Sequence, residues 1–98
     1  MASKIKYQNK SDEEIVHLLM DSGNQELFEI LYARYFKKVK DKCFSFLKDG
    51  KQSEEFANDI LTKAYEKIPG FKGNSSFSSW LYSITYNYCI DYLRIKKK

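Results

Sequence analysis

The 98-residue sequence is poor in residues that interrupt helices, since it has four glycines and one proline. Its two cysteines, Cys43 and Cys89, are too few and too far apart for a disulfide scaffold or a zinc motif. No apolar run approaches the ~18 residues of a membrane span. There is also no signal-peptide-like stretch, no glycine-rich phosphate loop and only one histidine, His17. We therefore expect a binding domain with no catalytic residue, no metal and no cofactor.

The hydrophobic content of 43% is enough for one core in a chain of this length. The formal net charge is +4 and lies entirely in residues 71–98, which contain five basic residues and one acidic residue. The first seventy residues contain twelve of each sign. This distribution permits a polyanionic partner at the C-terminal third of the chain.

Helix start and stop signals divide the chain into four segments. Ser11 and Glu14 form a capping box for a first helix, which Gly23 ends. Asn24 is expected to cap a second helix that continues to about Lys48.

The third helix is predicted to begin at Ser53 and to end at Pro69 and Gly70, and the fourth to begin at Ser75 or Ser76. No strand-like alternation competes over a useful length. The sequence therefore predicts a compact all-α four-helix domain over residues 11–98, preceded by a flexible tail of residues 1–10.

The third helix places Glu55, Asp59 and Glu66 within a narrow arc, beside Lys63 and Lys67. An arc of this kind is most often a solvated face with weak ion pairs. Alternatively, the acidic residues form a surface that binds a basic partner, and the adjacent lysines bind the phosphates of a nucleic acid. The pattern by itself leaves both interpretations open.

The fourth helix has two apolar stripes. The first, a predicted core face, is Phe77, Trp80, Leu81, Ile84, Tyr88 and Tyr92; the second, on nearly the opposite side, is Tyr82, Tyr86, Cys89 and Leu93. A polar seam of Ser83, Asn87 and Arg94 runs between them. Most of these rings should belong to the core, but aromatic, amide and basic side chains together are also typical of single-strand binding.

The loop between the third and fourth helices contains Gly70 and Gly73, which allow close backbone approach to a ligand. Phe71 in this loop could fold back onto the core or stack on a base, and both interpretations remain open.

The segment from Glu54 to Arg94 reads EEFANDILTKAYEKIPGFKGNSSFSSWLYSITYNYCIDYLR. It strongly resembles region 2 of bacterial sigma factors of the extracytoplasmic-function (ECF) type, in which an acidic helix is followed by a glycine-containing loop, an SSF motif, a WLY motif, an asparagine and a final LR. The earlier segment DEEIVHLLMDSGNQELFEILYARYFKKV is similar to the start of the same domain. The resemblance thus covers residues 12–94.

The resemblance implies a transcription initiation factor domain rather than an enzyme. Such a domain docks on the clamp helices of the RNA polymerase largest subunit, and it recognises and helps to melt the promoter minus-ten element by capturing the non-template strand. The implied polymerase-binding residues are Glu55, Asn58 and Asp59. The implied DNA-binding residues, together with those that the basic and polar pattern adds, are Lys63, Lys67, Phe71, Lys72, Gly73, Asn74, Ser75, Ser83, Asn87 and Arg94.

The sequence departs from the family pattern at Asn58, which replaces a usual glutamine, at Ser83, which replaces a basic residue, and at Thr85, which replaces an alanine. The family's second helical domain, region 4, would follow beyond Lys98, so we interpret the chain as an isolated region 2. The resemblance also implies a cytoplasmic location and an anti-sigma factor as a partner. The alternative is a protein-interaction module that retains polymerase or anti-sigma binding without productive DNA capture.

Overall fold

A computed structural model describes residues 6–96, and four long α-helices begin and end within that range. They are α1 (Asp12–Ser22), α2 (Gln25–Leu47), α3 (Gly50–Lys67) and α4 (Phe77–Lys96), with a 3-10 turn at Ile68–Gly70 between α3 and α4. No strand occurs among the described residues. The predicted all-α, four-helix class is thus confirmed.

The first two helices begin where the sequence indicates. The Ser11 hydroxyl accepts a hydrogen bond from the Glu14 amide, and the Glu14 carboxylate accepts one from the Ser11 amide, so the capping box is complete. Gly23 ends α1 in the left-handed conformation with φ 68°, and the Asn24 side chain caps α2. The reciprocal bonds lower the pKa of Glu14, first through the Ser11 amide and then through the Ser11 hydroxyl.

The predicted start of α3 at Ser53 is wrong. Asp49 is the N-cap, and its side chain accepts from the Gln52 amide at 2.9 Å. Ser53 is fully buried in the first turn, and its hydroxyl donates to the Asp49 carbonyl at 2.7 Å. The helix begins earlier because Lys48 ends α2 in the left-handed conformation and leaves Asp49 extended, as an N-cap requires.

The core lies where α2 packs against the other three helices. Its largest fully buried side chains include Ile15 on α1, Leu31 and Val39 on α2, Ile60 and Leu61 on α3, and Phe77 and Leu81 on α4. Among the described residues, no buried side-chain nitrogen or oxygen lacks a hydrogen-bond partner. None of the described helices combines the length and the apolar character that crossing a bilayer would require.

The predicted core face of α4 is confirmed in part, since Phe77 and Leu81 are fully buried and Trp80, Ile84 and Tyr88 pack against the core. The buried row is Phe77, Leu81, Thr85 and Cys89, which repeats every four residues. This row begins in the first predicted stripe with Phe77 and Leu81 and reaches the second stripe at Cys89, so the predicted separation into opposite sides is wrong. Thr85 is tolerated in the core because its hydroxyl donates to the Leu81 carbonyl at 2.9 Å.

Residues 6–10 are held against the helices. Tyr7 packs on the core, and the Arg34 guanidinium donates to the carbonyls of Gln8 and Lys10 at 3.0 and 2.9 Å. Of the tail predicted for residues 1–10, residues 1–5 lie outside the described range.

Candidate nucleic-acid interface

The loop of residues 71–76 connects the 3-10 turn to α4. The residues at its tip, Lys72 to Ser76, are exposed, and Gly73 has φ +73°, a conformation that side chains other than glycine rarely adopt. The loop therefore presents a cation, an amide and two hydroxyls on a backbone whose turn depends on Gly73.

Phe71 lies under this loop. Its ring is half-buried and contacts Trp80 at 5.1 Å and Phe77 at 6.1 Å between centroids. Of the two sequence interpretations, the structure favours the core one, because the ring anchors the base of the loop to the first turn of α4.

The far end of the loop is fixed by a residue that sequence reasoning missed. The Glu13 carboxylate on α1 accepts a hydrogen bond from the Phe77 amide at 2.7 Å, 64 positions away in sequence. The Ser76 hydroxyl accepts from the Ser79 amide at 3.2 Å. These two acceptors satisfy N-terminal amides of α4 and hold the loop between two anchored ends.

The three predicted polymerase-binding residues lie together on the exposed side of α3. We call Glu55, Asn58 and Asp59 the docking arc. Asn58 accepts a hydrogen bond from the Tyr32 hydroxyl at 2.9 Å, and Asp59 accepts one from the Tyr88 hydroxyl at 3.2 Å. Both residues remain exposed, so the arc can still meet a partner while it is tied to α2 and α4.

Lys63 lies between the docking arc and the loop. Its ammonium group is 6.0 Å from the centroid of the Tyr88 ring, which orients the side chain along the α3–α4 boundary. Burial, followed by the neighbouring Asp59 carboxylate, raises the pKa of Tyr88, so the hydroxyl stays protonated as a donor. Lys67 is exposed in the last turn of α3.

Ser83 and Asn87 line a shallow depression between α2 and α4. The other lining residues are Lys42, Ser79, Tyr82 and Tyr86. Lys42 was missed because it lies 45 residues before Asn87, although four lysines within residues 37–42 were a local signal. Lys42 of α2 thus lies in the same depression as Ser83 and Asn87 of α4.

Arg94 is not brought together with the loop. It lies 17 residues beyond Phe77, which corresponds to about 26 Å along the helix axis. It lines a separate depression at the far end of α4 with Phe46, Leu47 and Lys96. The predicted DNA-binding residues therefore form a long track rather than one pocket.

The described residues offer no constellation for catalysis. They contain no group of three or more His, Cys, Asp or Glu side chains that could hold a metal. Cys43 and Cys89 are fully buried, with their sulfurs 3.7 Å apart. Burial raises the pKa of Cys43 to about 12, so the thiol is not an activated nucleophile. His17 is exposed beside Asp21.

Comparison with known proteins identifies the family. The sigma-70 region 2 family matches residues 31–98. The chain belongs to this family. It is 35% identical over 75 residues to the ECF RNA polymerase sigma factor SigW of Bacillus subtilis, covering 76% of this chain and 40% of that protein. It is 28% identical over 78 residues to the RNA polymerase sigma-H factor of Pseudomonas aeruginosa, covering 80% and 40%.

A solved structure is similar over almost the whole domain. An engineered region 2 of sigmaE, studied by NMR in complex with GTAAAA, superposes with a TM-score of 0.78 at 29% identity, covering 89% of this chain and 90% of that one. The predicted resemblance to ECF sigma region 2 and the predicted non-enzymatic class are confirmed by these relatives. The chain spans about 40% of the length of the curated relatives it matches.

Proposed function

We propose that this region 2 domain docks on the clamp helices of RNA polymerase through the docking arc and captures the non-template strand of the promoter minus-ten element. The observation that supports this proposal most is the exposed loop of residues 71–76, whose turn depends on Gly73 and which is anchored at both ends. The domain that carries this loop is similar to an engineered region 2 in complex with GTAAAA. The polymerase core and promoter DNA are the partners in this proposal, and the location is the bacterial cytoplasm.

Strand capture needs no hydrolysis and no cofactor. Extruding a base from a duplex costs a few kcal/mol in stacking and pairing. The backbone and side chains of Gly73, Asn74 and Ser75 offer edge hydrogen bonds that only an extruded base reaches. Because this binding energy is available only after melting, capture favours the open strand.

The remaining proposed residues have distinct roles. Asn87 and Ser83 contact bases or sugars along α4, since an amide can accept and donate at once. Lys63, Lys67, Lys72 and Arg94 attract phosphates in a sequence-independent manner. Phe71 packs against Phe77 and Trp80 and thereby holds the base of the loop against the core.

The docking arc offers carboxylates to a basic coiled coil. Glu55 is exposed, and Asn58 and Asp59 are held in place by tyrosine hydroxyls, which reduces the rotamer entropy lost on binding. An anti-sigma factor is a further proposed partner, and the exposed side chains of Phe44 and Ile95, 46% and 74% accessible, offer it apolar area.

Strand selection tests this proposal. From a pool of single strands randomised over ten positions, we expect enrichment of one consensus, and fluorescence anisotropy should then show weaker binding by Asn87→Ala. A lost base-edge amide contact corresponds to roughly tenfold in affinity. Asn9→Ala removes an exposed amide outside the proposed interface and should bind like wild type. Absence of enrichment would contradict strand reading, and retained binding of polymerase core would then favour the protein-interaction alternative.

A further inference from the structure

The surface between α2 and α4 continues past the residues already assigned to the strand. The depression that contains Ser83 and Asn87 shares Lys42 and Tyr82 with a second depression, which adds Lys38. We call Lys38, Lys42, Tyr82, Ser83, Tyr86 and Asn87 the α2–α4 groove. It runs onto a helix that the proposed function does not use.

The groove combines cations with accessible rings. Lys38 and Lys42 are one helical turn apart on the same side of α2 and both are exposed. The ammonium group of Lys38 is 5.3 Å from the centroid of the Tyr35 ring, which directs it along the groove. Asp41 also lines the second depression, but its carboxylate binds Lys37 at 3.0 Å, so Lys38 and Lys42 supply the uncompensated charge.

The tyrosines of the groove are held by edge contacts that leave ring surface exposed. Tyr82 packs edge-on against Tyr35, and Tyr86 packs edge-on against Phe46 at 5.7 Å between centroids. Tyr86 is 50% accessible, although it is a large aromatic residue. A half-exposed ring held by a T-shaped contact has accessible surface on which a base could stack.

We propose that the α2–α4 groove binds the continuation of the captured DNA single strand, with Lys38 and Lys42 on its phosphates and Tyr86 against a base. This inference rests on the proposed function, since it extends the same strand from Asn87. Single-stranded DNA is favoured over duplex because the exposed Tyr86 ring can stack only on an unstacked base. The groove also contains Asn87, which the proposed function already assigns to the captured strand, so the same strand is the expected ligand.

The test compares a short strand with longer ones. The short strand is the minimal selected sequence, and the long strands carry six added thymidines at its 5′ or its 3′ end. At low salt we expect extension at one end to strengthen binding to the wild-type chain by roughly threefold to tenfold. The Lys38→Gln/Lys42→Gln variant should lose this gain, so that it binds the long and the short strands with equal affinity.

Salt dependence supplies a second readout. For the long strand, loss of two phosphate contacts should reduce the slope of log affinity against log salt by about 1.4. Lys51→Gln is the charge-matched control, because Lys51 is exposed on α3 and lines neither depression, and it should keep the length gain.

The outcomes separate the two proposals. If the wild-type chain does not bind the short strand with sequence preference, the proposed function fails. If the short strand binds but extension at either end adds nothing, or the double lysine variant keeps the whole gain, only the groove inference is overturned. A gain from a duplex flank in place of the thymidines, without one from the single strand, would also overturn it.

Discussion

At the scale of single residues, the most informative group is the partly buried carboxylate of Asp12. It accepts a hydrogen bond from Arg34 at 2.9 Å and another from the Tyr35 hydroxyl, and thereby ties α1 to α2. Its side chain and that of Arg34 are 19% and 28% accessible, so the pair is largely protected from solvent. Burial, and then the Asp12 hydrogen bond, raise the pKa of Tyr35.

Replacing Asp12 should therefore cost more than replacing a similar surface acid. We expect Asp12→Ala to lower the free energy of unfolding by about 2 kcal/mol, because it removes charge-assisted bonds to Arg34 and Tyr35. Urea denaturation measures the difference. The control is Asp21→Ala, which breaks only the exposed 3.6 Å contact with His17 and should change stability by less than about 0.5 kcal/mol. Equal losses in both variants would contradict the role of Asp12.

The buried thiols make a pH-dependent prediction. Burial raises the pKa of Cys43 from its ordinary 9.0 to about 12. Because its pKa is raised in the folded state, the protonated thiol of Cys43 contributes to the free energy of unfolding. This contribution is complete below pH 9 and is lost as the pH rises toward 12. We expect the free energy of unfolding to fall above pH 9 and to fall less steeply in Cys43→Ala, as measured by urea denaturation between pH 6 and 11.

The alkaline decline should shrink in that variant without disappearing, because burial also raises the pKa values of Tyr35 and Tyr88. Below pH 8 the two proteins should show parallel pH profiles. Identical slopes above pH 9 would show that ionisation of Cys43 contributes nothing to stability.

At the scale of the elements, the hydrogen bond between Glu13 and the Phe77 amide couples α1 to the loop of residues 71–76. We expect Glu13→Ala to accelerate hydrogen exchange at the Phe77 amide and to weaken strand binding, since the end of the loop is then released. Glu13→Gln keeps an oxygen acceptor and should retain most of the protection. If the Phe77 amide stays equally protected in Glu13→Ala, the anchor does not control the loop.

The helices and their caps could be predicted from the sequence to the extent that the signals are local. Ser11, Gly23 and Asn24 act within one turn, and all three have the predicted roles. The start of α3 was wrong because Asp49 and Ser53 are both good N-caps, and only the left-handed Lys48 selects between them. The predicted core stripe of α4 contained Phe77 and Leu81 but missed Thr85, because a polar residue at the centre of a buried row gives no apolar signal.

The family resemblance points to Asn87 and to the loop, and the structure shows that Asn87 and residues 72–76 are exposed. Lys42 and Glu13 could not be predicted from the sequence. Lys42 comes near Asn87 only when α2 packs against α4, and Glu13 reaches the Phe77 amide only when α1 does so. The sequence pattern also did not separate Arg94 from the loop, since a helical wheel shows faces and not distances along the axis. Whether the assigned residues bind DNA or polymerase stays a prediction.

At the scale of the whole molecule, the docking arc lies on α3 whereas Ser83 and Asn87 lie on α4, so the two proposed binding functions should be separable. We expect Glu55→Lys to weaken binding of polymerase core while strand affinity is unchanged, and Asn87→Ala to do the reverse. Glu55 is the better choice than Asp59, because Asp59 also bonds Tyr88 and its loss would disturb the α3–α4 contact. Surface-immobilised core enzyme and labelled strand measure the two affinities, and joint loss in either variant would contradict separate surfaces.

Charge at this scale is distributed along the proposed track rather than gathered in one patch. The loop contributes Lys72, α3 contributes Lys63 and Lys67, α2 contributes Lys38 and Lys42, and α4 ends in Arg94 and Lys96. We infer that strand affinity falls steeply with salt, while sequence preference depends on the uncharged loop and Asn87.

The central claim is that this domain reads an opened strand, and its most direct test is a titration of the wild-type chain with three DNAs at one low salt concentration. These are the selected single strand, a scrambled single strand of the same composition, and the selected sequence as a duplex. We expect the selected single strand to bind at least roughly tenfold more tightly than either of the others. Equal affinity for all three, or preference for the duplex, would contradict strand capture by this domain.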